Sequence, residues 1–494
     1  MGRELESATF TREQRQLYRD KVKACLDVFE QMLATRSFEF EQPMIGMEIE
    51  LNLVDADYQP KMDNAEVLEA IADPEYQTEL AQFNIEFNVA PRPIGGDSVV
   101  EMENSLRESL NEAERRCAQV GSHIVMIGIL PTVMPETFEG DWMSANARYQ
   151  ALNDAFLAAR GENIHLDIAG RTGERLLRYA DSLAPESACT SMQLHLQVRP
   201  NQFAAYWNAA QVLAGAQLAL GANSPYFMGH ELWAETRIEL FTQAADTRPE
   251  ELRNQGVRPR VFFGDRWITS IFDLFEENTL YFPALLPELD DEDPQEAFRA
   301  GRAPKLAEMR LHNGTIYRWN RPIYDIVAGR PHLRVENRVL PAGPTIVDTL
   351  ANAAFYYGAV RALVTDDRPV WSRMAFGTAE ENFLAGARDG IDARQFWPGR
   401  GEIPASELVL RELLPMAHEG LAAWGVDTAV SDRLLGIIEA RCLSGQNGAH
   451  WQVDTVRAFE ARGLSRVDAL REMVAHYTEN MHSNEPVHTW DVPA

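Results

Sequence analysis

The chain has 494 residues, 45% of them hydrophobic and 24% charged, with a formal net charge of −28 and a pI near 4.8. So acidic a balance argues against nucleic acid and anionic membranes as partners, because both reward basic patches. The length leaves room for a large core and for more than one domain.

Apolar runs such as Ile124 to Leu130 are too short to span a bilayer, and Met1 to Arg19 is too charged for a signal-peptide core. Glu6 stands where a myristoylation signal on Gly2 needs Ser or Thr. Four cysteines (Cys25, Cys117, Cys189, Cys442) without a CxxC pair read as free thiols in a reducing compartment. The expectation is a soluble cytoplasmic protein with small-molecule partners, and a homo-oligomer is compatible with the composition.

Helical spacing over residues 11–35 (Leu17, Val22, Leu26, Phe29, Met32, Leu33) predicts a first helix. The run Ile45-Gly46-Met47-Glu48-Ile49-Glu50-Leu51-Asn52-Leu53-Val54 then alternates strictly, with Glu48, Glu50 and Asn52 opposite the apolar positions. Successive strand side chains point to opposite faces, so Glu48 and Glu50 share one face. Like charges that close raise each other's proton affinity and cost stability unless a cation sits between them.

A helix over 64–71 is expected next. The alternating run Phe83 to Val89 then sets Glu86 between Asn84 and Asn88 and ends at Pro91 and Pro93. Residues 98–120 read as helix and 149–180 as helix in part. Met192 to Val198 repeats the alternation, with Gln193, His195 and Gln197 on the polar side. An apolar helix over 203–220 closes at Gly221-Ala222-Asn223-Ser224-Pro225, and Pro287 to Pro294 reads as a loop. Two further strands are predicted. In one, Ala307, Met309 and Leu311 oppose Glu308, Arg310 and His312; in the other, Leu333, Val335 and Val339 oppose Arg334, Glu336 and Arg338. Beyond Thr345, helices are expected near 346–364, 406–424, 428–443 and 453–481. Strands and helices mix without βαβ alternation, and no GxGxxG or Walker A sequence occurs. The fold expected is α+β, a mainly antiparallel sheet with helices on its apolar face.

Taken singly, each polar row reads as the wet face of an amphipathic sheet, and His195 as a core histidine. Taken together, the rows hold Glu, His, Arg, Asn and Gln but no Lys. Carboxylates with one imidazole suit Mg²⁺ or Mn²⁺, and arginines on a neighbouring strand suit phosphate or carboxylate. Metals beside arginines serve phosphoryl transfer. The same acids could serve a metal-dependent hydrolase or lyase without nucleotide, or a non-catalytic metal-stabilised barrel. The row Arg334, Glu336, Arg338 favours phosphoryl transfer, because a hydrolase of neutral substrates has little use for two arginines there. Cys189 lies six residues before His195, but a small buried cysteine is the commoner arrangement than a thiol nucleophile.

These residues resemble the glutamate–cysteine ligase family, in its bacterial carboxylate–amine ligase branch. The resemblance rests on Gly46-Met47-Glu48-Ile49-Glu50, Ile85-Glu86-Phe87, Met192-Gln193-Leu194-His195-Leu196, Ala222-Asn223-Ser224-Pro225, Thr236-Arg237, His312-Asn313-Gly314-Thr315 and Val335-Glu336-Asn337-Arg338. It implies a glutamine-synthetase-like fold whose curved sheet carries helices on its outer face. It also implies a catalytic part over 1–364, with a helical region over 365–494 packed on it. One metal, Mg²⁺ or Mn²⁺, would be held by Glu48, Glu79 and Glu86, and another by Glu50, His195 and Glu336. Arg338 would touch the transferring phosphate of ATP, Arg321 would be a further phosphate or carboxylate contact, and Arg237 would hold the substrate glutamate; Arg334, on the same polar row as Arg338, is the third catalytic candidate. The activity implied is ATP-dependent joining of the glutamate γ-carboxylate to the amine of cysteine, or to another amine. This sequence departs from the family pattern in having Glu at position 79, where Asp is common, and Gly229-His230 after Ser224-Pro225.

Overall fold

A computed structural model describes residues 10–38 and 40–493; Gly2 and Glu6, weighed above as a lipidation signal, lie outside them. The alternating runs pair into one seven-stranded sheet made of β1 (Met44–Val54), β2 (Tyr76–Thr78), β3 (Asn84–Pro93), β4 (His123–Val125), β5 (Met192–Gln197), β6 (Asn320–Val327) and β7 (Arg330–Asn337). The spatial order is β6-β7-β5-β1-β3-β2, with β4 on the C-terminal end of β1. Every pairing in it is antiparallel. β1 is the hinge of the arrangement: its first half pairs with β5 and its second half with β4, while β3 runs along its whole other edge.

The apolar face of the sheet is covered by helices that are apolar all round, as fully enclosed helices are. Tyr357, in the helix Ile346–Thr365, donates its hydroxyl to the carbonyls of Gly46 (3.2 Å) and His195 (3.1 Å), so this helix lies across β1 and β5. The helix Leu414–Trp424 approaches it so closely that a Cβ on Gly420 would sit 1.8 Å from the Gly358 carbonyl oxygen. Glycine there is a packing requirement. Arg441, buried in the helix Thr428–Ser444, pairs with buried Asp348 at 2.7 Å and donates to Asn352 Oδ1 at 2.7 Å.

The structure corrects two of the predicted elements and completes a third. Residues 307–313 form a helix, Ala307–Asn313, rather than a strand. Apolar residues at 307, 309 and 311 suit a strand, but tertiary contacts decide otherwise. Buried Glu308 faces the first helix, Arg12–Thr35, where it meets Lys21 (3.4 Å) and Cys25 Sγ (3.6 Å) and accepts from the Asp290 amide (2.9 Å). The second half of 149–180 is a hairpin, Ile164–Ala169 with Arg175–Ala180, after a helix that ends at Arg160. The segment 453–481 is two helices, Gly448–Ala461 and Arg466–Ser483, separated around Gly463 at φ +94°. Asn447 caps the first of them through the His450 amide (3.0 Å), and Trp451 is fully buried.

Two stability experiments follow from this packing. Arg441→Met leaves the Asp348 carboxylate buried without its cation, so urea denaturation is expected to lose about 3–5 kcal/mol. His312 is buried, with Nε2 2.8 Å from the Asn278 carbonyl and Nδ1 unpartnered. Burial first, then Arg260 and Arg318, push its pKa down to about 4. A depressed histidine pKa means the fold holds the neutral ring. That contribution is complete above the ordinary histidine range near ~6.5 and is lost as pH falls towards 4. The urea midpoint of His312→Gln should therefore fall less steeply than wild type between those pH values.

Candidate active site

The polar rows of β1, β3, β5 and β7 do not face bulk water. Glu50 is 8% exposed, His195 7% and Glu336 2%, and the rows line a cavity of about 670 Å³. A solvated sheet face is therefore the wrong reading of this alternation. Six metal-type donors predicted from the sequence come together here, in two groups of three whose donor atoms all lie within 4.8 Å of one another. One group is Glu48, His195 and Glu336; the other is Glu50, Glu79 and Glu86.

This partition differs from the one implied by resemblance, which exchanged Glu48 and Glu50. The register explains it. Glu50 stands directly opposite Glu86 on β3, with Glu79 just beyond β2. His195 stands opposite Gly46 on β1 and opposite Glu336 on β7, one diagonal step from Glu48. Its Nε2 lies 3.0 Å from Glu48 Oε1. Cross-strand neighbours, not neighbours in sequence, decide which donors meet.

The electrostatics of the two groups are opposite. Burial works against ionisation of Glu336, but Arg321 and Arg338 hold it well below the usual carboxylate range. Arg321 forks onto both Glu336 oxygens at 2.5 and 3.0 Å, and Arg338 Nη1 lies 3.6 Å away. Glu48 is likewise held down, against burial, by His195. In the second group no basic side chain forms an ion pair with Glu50, Glu79 or Glu86 among the described residues. Burial, then Glu86 and Glu50, raises Glu79 well above its ordinary range. Burial, then Glu48 and Glu50, pushes Glu86 up to about 7. Glu50 is also raised by burial, against the pull of Arg338; it accepts from Gln193 Nε2 (2.9 Å) and the Ser191 amide (2.5 Å). Three crowded carboxylates with no ion pair among the described residues fit a hard divalent cation, and the oxygen-rich donor set suits Mg²⁺ or Mn²⁺.

The arginines are held in place by the fold. Arg334 Nε donates to His195 Nδ1 (3.1 Å) and its Nη1 reaches Asp325 (3.1 Å). Nε2 is then the ring nitrogen that faces Glu48. Arg338 donates to Gln193 Oε1 and is kept cationic, against burial, by Glu336 and Glu50. Arg237 lines the cavity but is 3% exposed. Its Nε meets Glu235 at 3.0 Å, its Nη2 donates to the Val339 carbonyl, and its guanidinium lies 5.5 Å over the Trp319 ring. Cys189 also lines the cavity, yet burial pushes its thiol well above the ordinary range, so it is no thiolate nucleophile.

The sequence reading missed Arg148, Tyr149, Glu186, Tyr317 and Asp325, all of which line the same cavity. None lies on an alternating row that singles it out, except Asp325 on β6. Arg148 has no ion pair among the described residues.

The likeness to known proteins agrees with this architecture. A glutamate–cysteine ligase from Francisella tularensis, solved in complex with AMP, superposes with a TM-score of 0.56 at 13% identity, over 93% of this chain and 91% of that one. A bifunctional glutathione synthetase from Pasteurella multocida gives 0.50 at 12% identity, over 93% of this chain and 55% of that longer one. At such identities the likeness shows the fold alone, which the chain shares with these two enzymes. No curated protein sequence matches the chain significantly. Residues 44–467 match the family model described as glutamate–cysteine ligase family 2. By class, the protein is an ATP-dependent carboxylate–amine ligase. Within that class, the chain belongs to glutamate–cysteine ligase family 2. No helix among the described residues is long and apolar enough to cross a membrane.

The partition of donors makes a prediction that the resemblance-based one does not share. Titrated with Mn²⁺ and followed by electron paramagnetic resonance, Glu50→Gln and Glu86→Gln should weaken the same ion, while Glu48→Gln and His195→Ala weaken the other. Loss of about 10-fold or more in affinity at one site per variant is the expected scale.

Proposed function

We propose that this ligase joins the γ-carboxylate of glutamate to the amine of cysteine, by way of a γ-glutamyl phosphate. The observation that carries the reading is the meeting of two three-donor groups with Arg321, Arg334 and Arg338 around one cavity. Glu48, His195 and Glu336 would hold one Mg²⁺ or Mn²⁺, and Glu50, Glu79 and Glu86 the other. When bound, such ions neutralise phosphate charge and orient ATP.

The protein's own groups supply the rest. Arg338, kept cationic by the acids around it, offers charge to the phosphoryl group as it passes from ATP to the glutamate side chain. Arg321, whose fork is taken by both Glu336 oxygens, fixes that carboxylate and adds its charge beside the phosphoryl group. Arg334 orients His195 through Nδ1. Arg237 would set the glutamate, its guanidinium already immobilised by Glu235 and Trp319. The amine then attacks the acyl phosphate carbon, and phosphate leaves with the electron pair of the broken C–O bond. No enzyme nucleophile is required, in keeping with the neutral Cys189 thiol. The helices over 365–494 would brace the sheet from behind, and four free thiols accord with a cytoplasmic setting.

Phosphate release from Mg-ATP tests the reading, with glutamate present and cysteine compared against a panel of other amines. Turnover should require glutamate and be fastest with cysteine. Glu50→Gln and His195→Ala should each lower it by ~100-fold or more with unchanged near-ultraviolet circular dichroism. Turnover that ignores glutamate with every amine would refute the ligase chemistry, and a faster amine than cysteine would replace the acceptor.

A further inference from the structure

Between the apolar helix that ends at Gly221 and the helix that carries Arg237 lies the turn Ala222-Asn223-Ser224-Pro225, to which the chemistry above gives no task. Asn223 is fully buried, and both polar atoms of its side chain are engaged. Its Nδ2 donates to the Ala342 carbonyl and to the Tyr477 hydroxyl, both at 2.8 Å, and its Oδ1 accepts from Gln452 Nε2, also at 2.8 Å. The same Gln452 nitrogen donates to the Asn223 carbonyl at 3.2 Å, and the Tyr477 hydroxyl donates onward to the Met126 carbonyl at 2.7 Å. Gln452 and Tyr477 belong to the helices Gly448–Ala461 and Arg466–Ser483 of the C-terminal region. The first of these meets the turn at contact distance. The Ala449 amide donates to the Ala222 carbonyl at 2.9 Å, and a Cβ on Gly448 would lie 2.1 Å from Asn223 Oδ1.

On its other side the turn reaches the cavity. The Asn223 amide donates to Glu235 Oε2 at 2.8 Å, and Glu235 Oε1 accepts from Arg237 Nε at 3.0 Å. Arg237 Nη2 donates to the carbonyl of Val339, next to Arg338. Its Nη1 makes one long contact, 3.5 Å to the Arg338 carbonyl, and keeps donor capacity for a ligand in the cavity that Arg237 lines. A guanidinium receives a carboxylate well only when its planar fork is aimed. Here the aim is set by Glu235, and the place of Glu235 by Asn223. We propose that Asn223 is a positioning residue for the glutamate site, the joint through which Gln452 and Tyr477 hold the Glu235–Arg237 pair at the angle that receives a substrate carboxylate. The C-terminal helices thereby complete that site from outside, since no described residue beyond Arg338 lines the cavity. A fully satisfied buried network transmits position in this way because each of its groups has one arrangement that leaves no partner unpaired.

The inference rests on the ligase reading above and on Arg237 as its glutamate contact, and the test separates the three. Full-length wild type, Gln452→Leu, Tyr477→Phe and Leu470→Ala are assayed for phosphate release from Mg-ATP, with cysteine or the fastest amine of the panel held saturating. Their melting temperatures are recorded alongside. Leu470 is buried in the same helix as Tyr477 but offers no hydrogen bond to Asn223, so it reports what loosened packing alone does. The expected result is a KM for glutamate raised ~10-fold in Gln452→Leu and in Tyr477→Phe, with kcat and the KM for Mg-ATP within about threefold of wild type. Leu470→Ala should lower the melting temperature and leave the glutamate KM unchanged. Tyr477→Phe removes one oxygen and keeps the ring, so it decides the matter if Gln452→Leu does not fold. An unchanged glutamate KM in these variants, whatever their melting temperatures, overturns the positioning role. So does a rise shared by Leu470→Ala, or a loss spread equally over kcat and both KM values. An unchanged glutamate KM in Arg237→Lys overturns the assignment of Arg237, and wild-type turnover that ignores glutamate overturns the ligase reading itself.

Discussion

Three carboxylates, Glu50, Glu79 and Glu86, crowd the concave face of the sheet, and no basic residue forms an ion pair with them among the described residues. Charge buried without a partner costs several kcal/mol per group, and proteins retain such an arrangement where a ligand completes it. Much of the architecture can be understood as holding that arrangement in place. β1 carries an acid toward each side, β3 and the segment just after β2 add two acids on one flank, and β5 and β7 add an imidazole and an acid on the other.

The two flanks are unequal by design of their surroundings. On the β7 side, Arg321 and Arg338 hold Glu336 well below the usual carboxylate range against burial. On the β3 side burial and the crowding of the acids raise the proton affinities of Glu79 and Glu86. One flank is poised by arginines and the other waits for its counter-charge. Such asymmetry suits a reaction in which phosphate charge is gathered at one end and an amine arrives at the other.

The convex side serves rigidity. Tyr357 anchors the helix Ile346–Thr365 to the backbone of Gly46 and His195, directly behind the donors. Gly358 and Gly420 let a second helix approach that one at backbone distance. Arg441 and Asp348 then tie the later helices to the same element. Donor side chains that must meet within a few ångströms are thus set on strands whose backs are clamped, which is the condition for a precise site.

Period-two alternation, a local property, was enough to read β1, β3, β5 and β7 and to place Glu48, Glu50, Glu86, His195 and Glu336 on polar faces. Residue chemistry was enough to call for divalent cations and phosphate. Which acid joins which group was not legible, because it depends on the strand order and register that set Glu50 against Glu86 and His195 against Glu336. The same limit turned the run at 307–313 from a strand into a helix, since Glu308 is claimed by the first helix more than 280 residues away in the chain. Glu186 and Arg148 carried no local signal at all. Side-chain pattern along a strand is written residue by residue, whereas proximity across a sheet and the burial of a polar face arise only when distant segments pack, and those two properties give these acids their partners and their proton affinities.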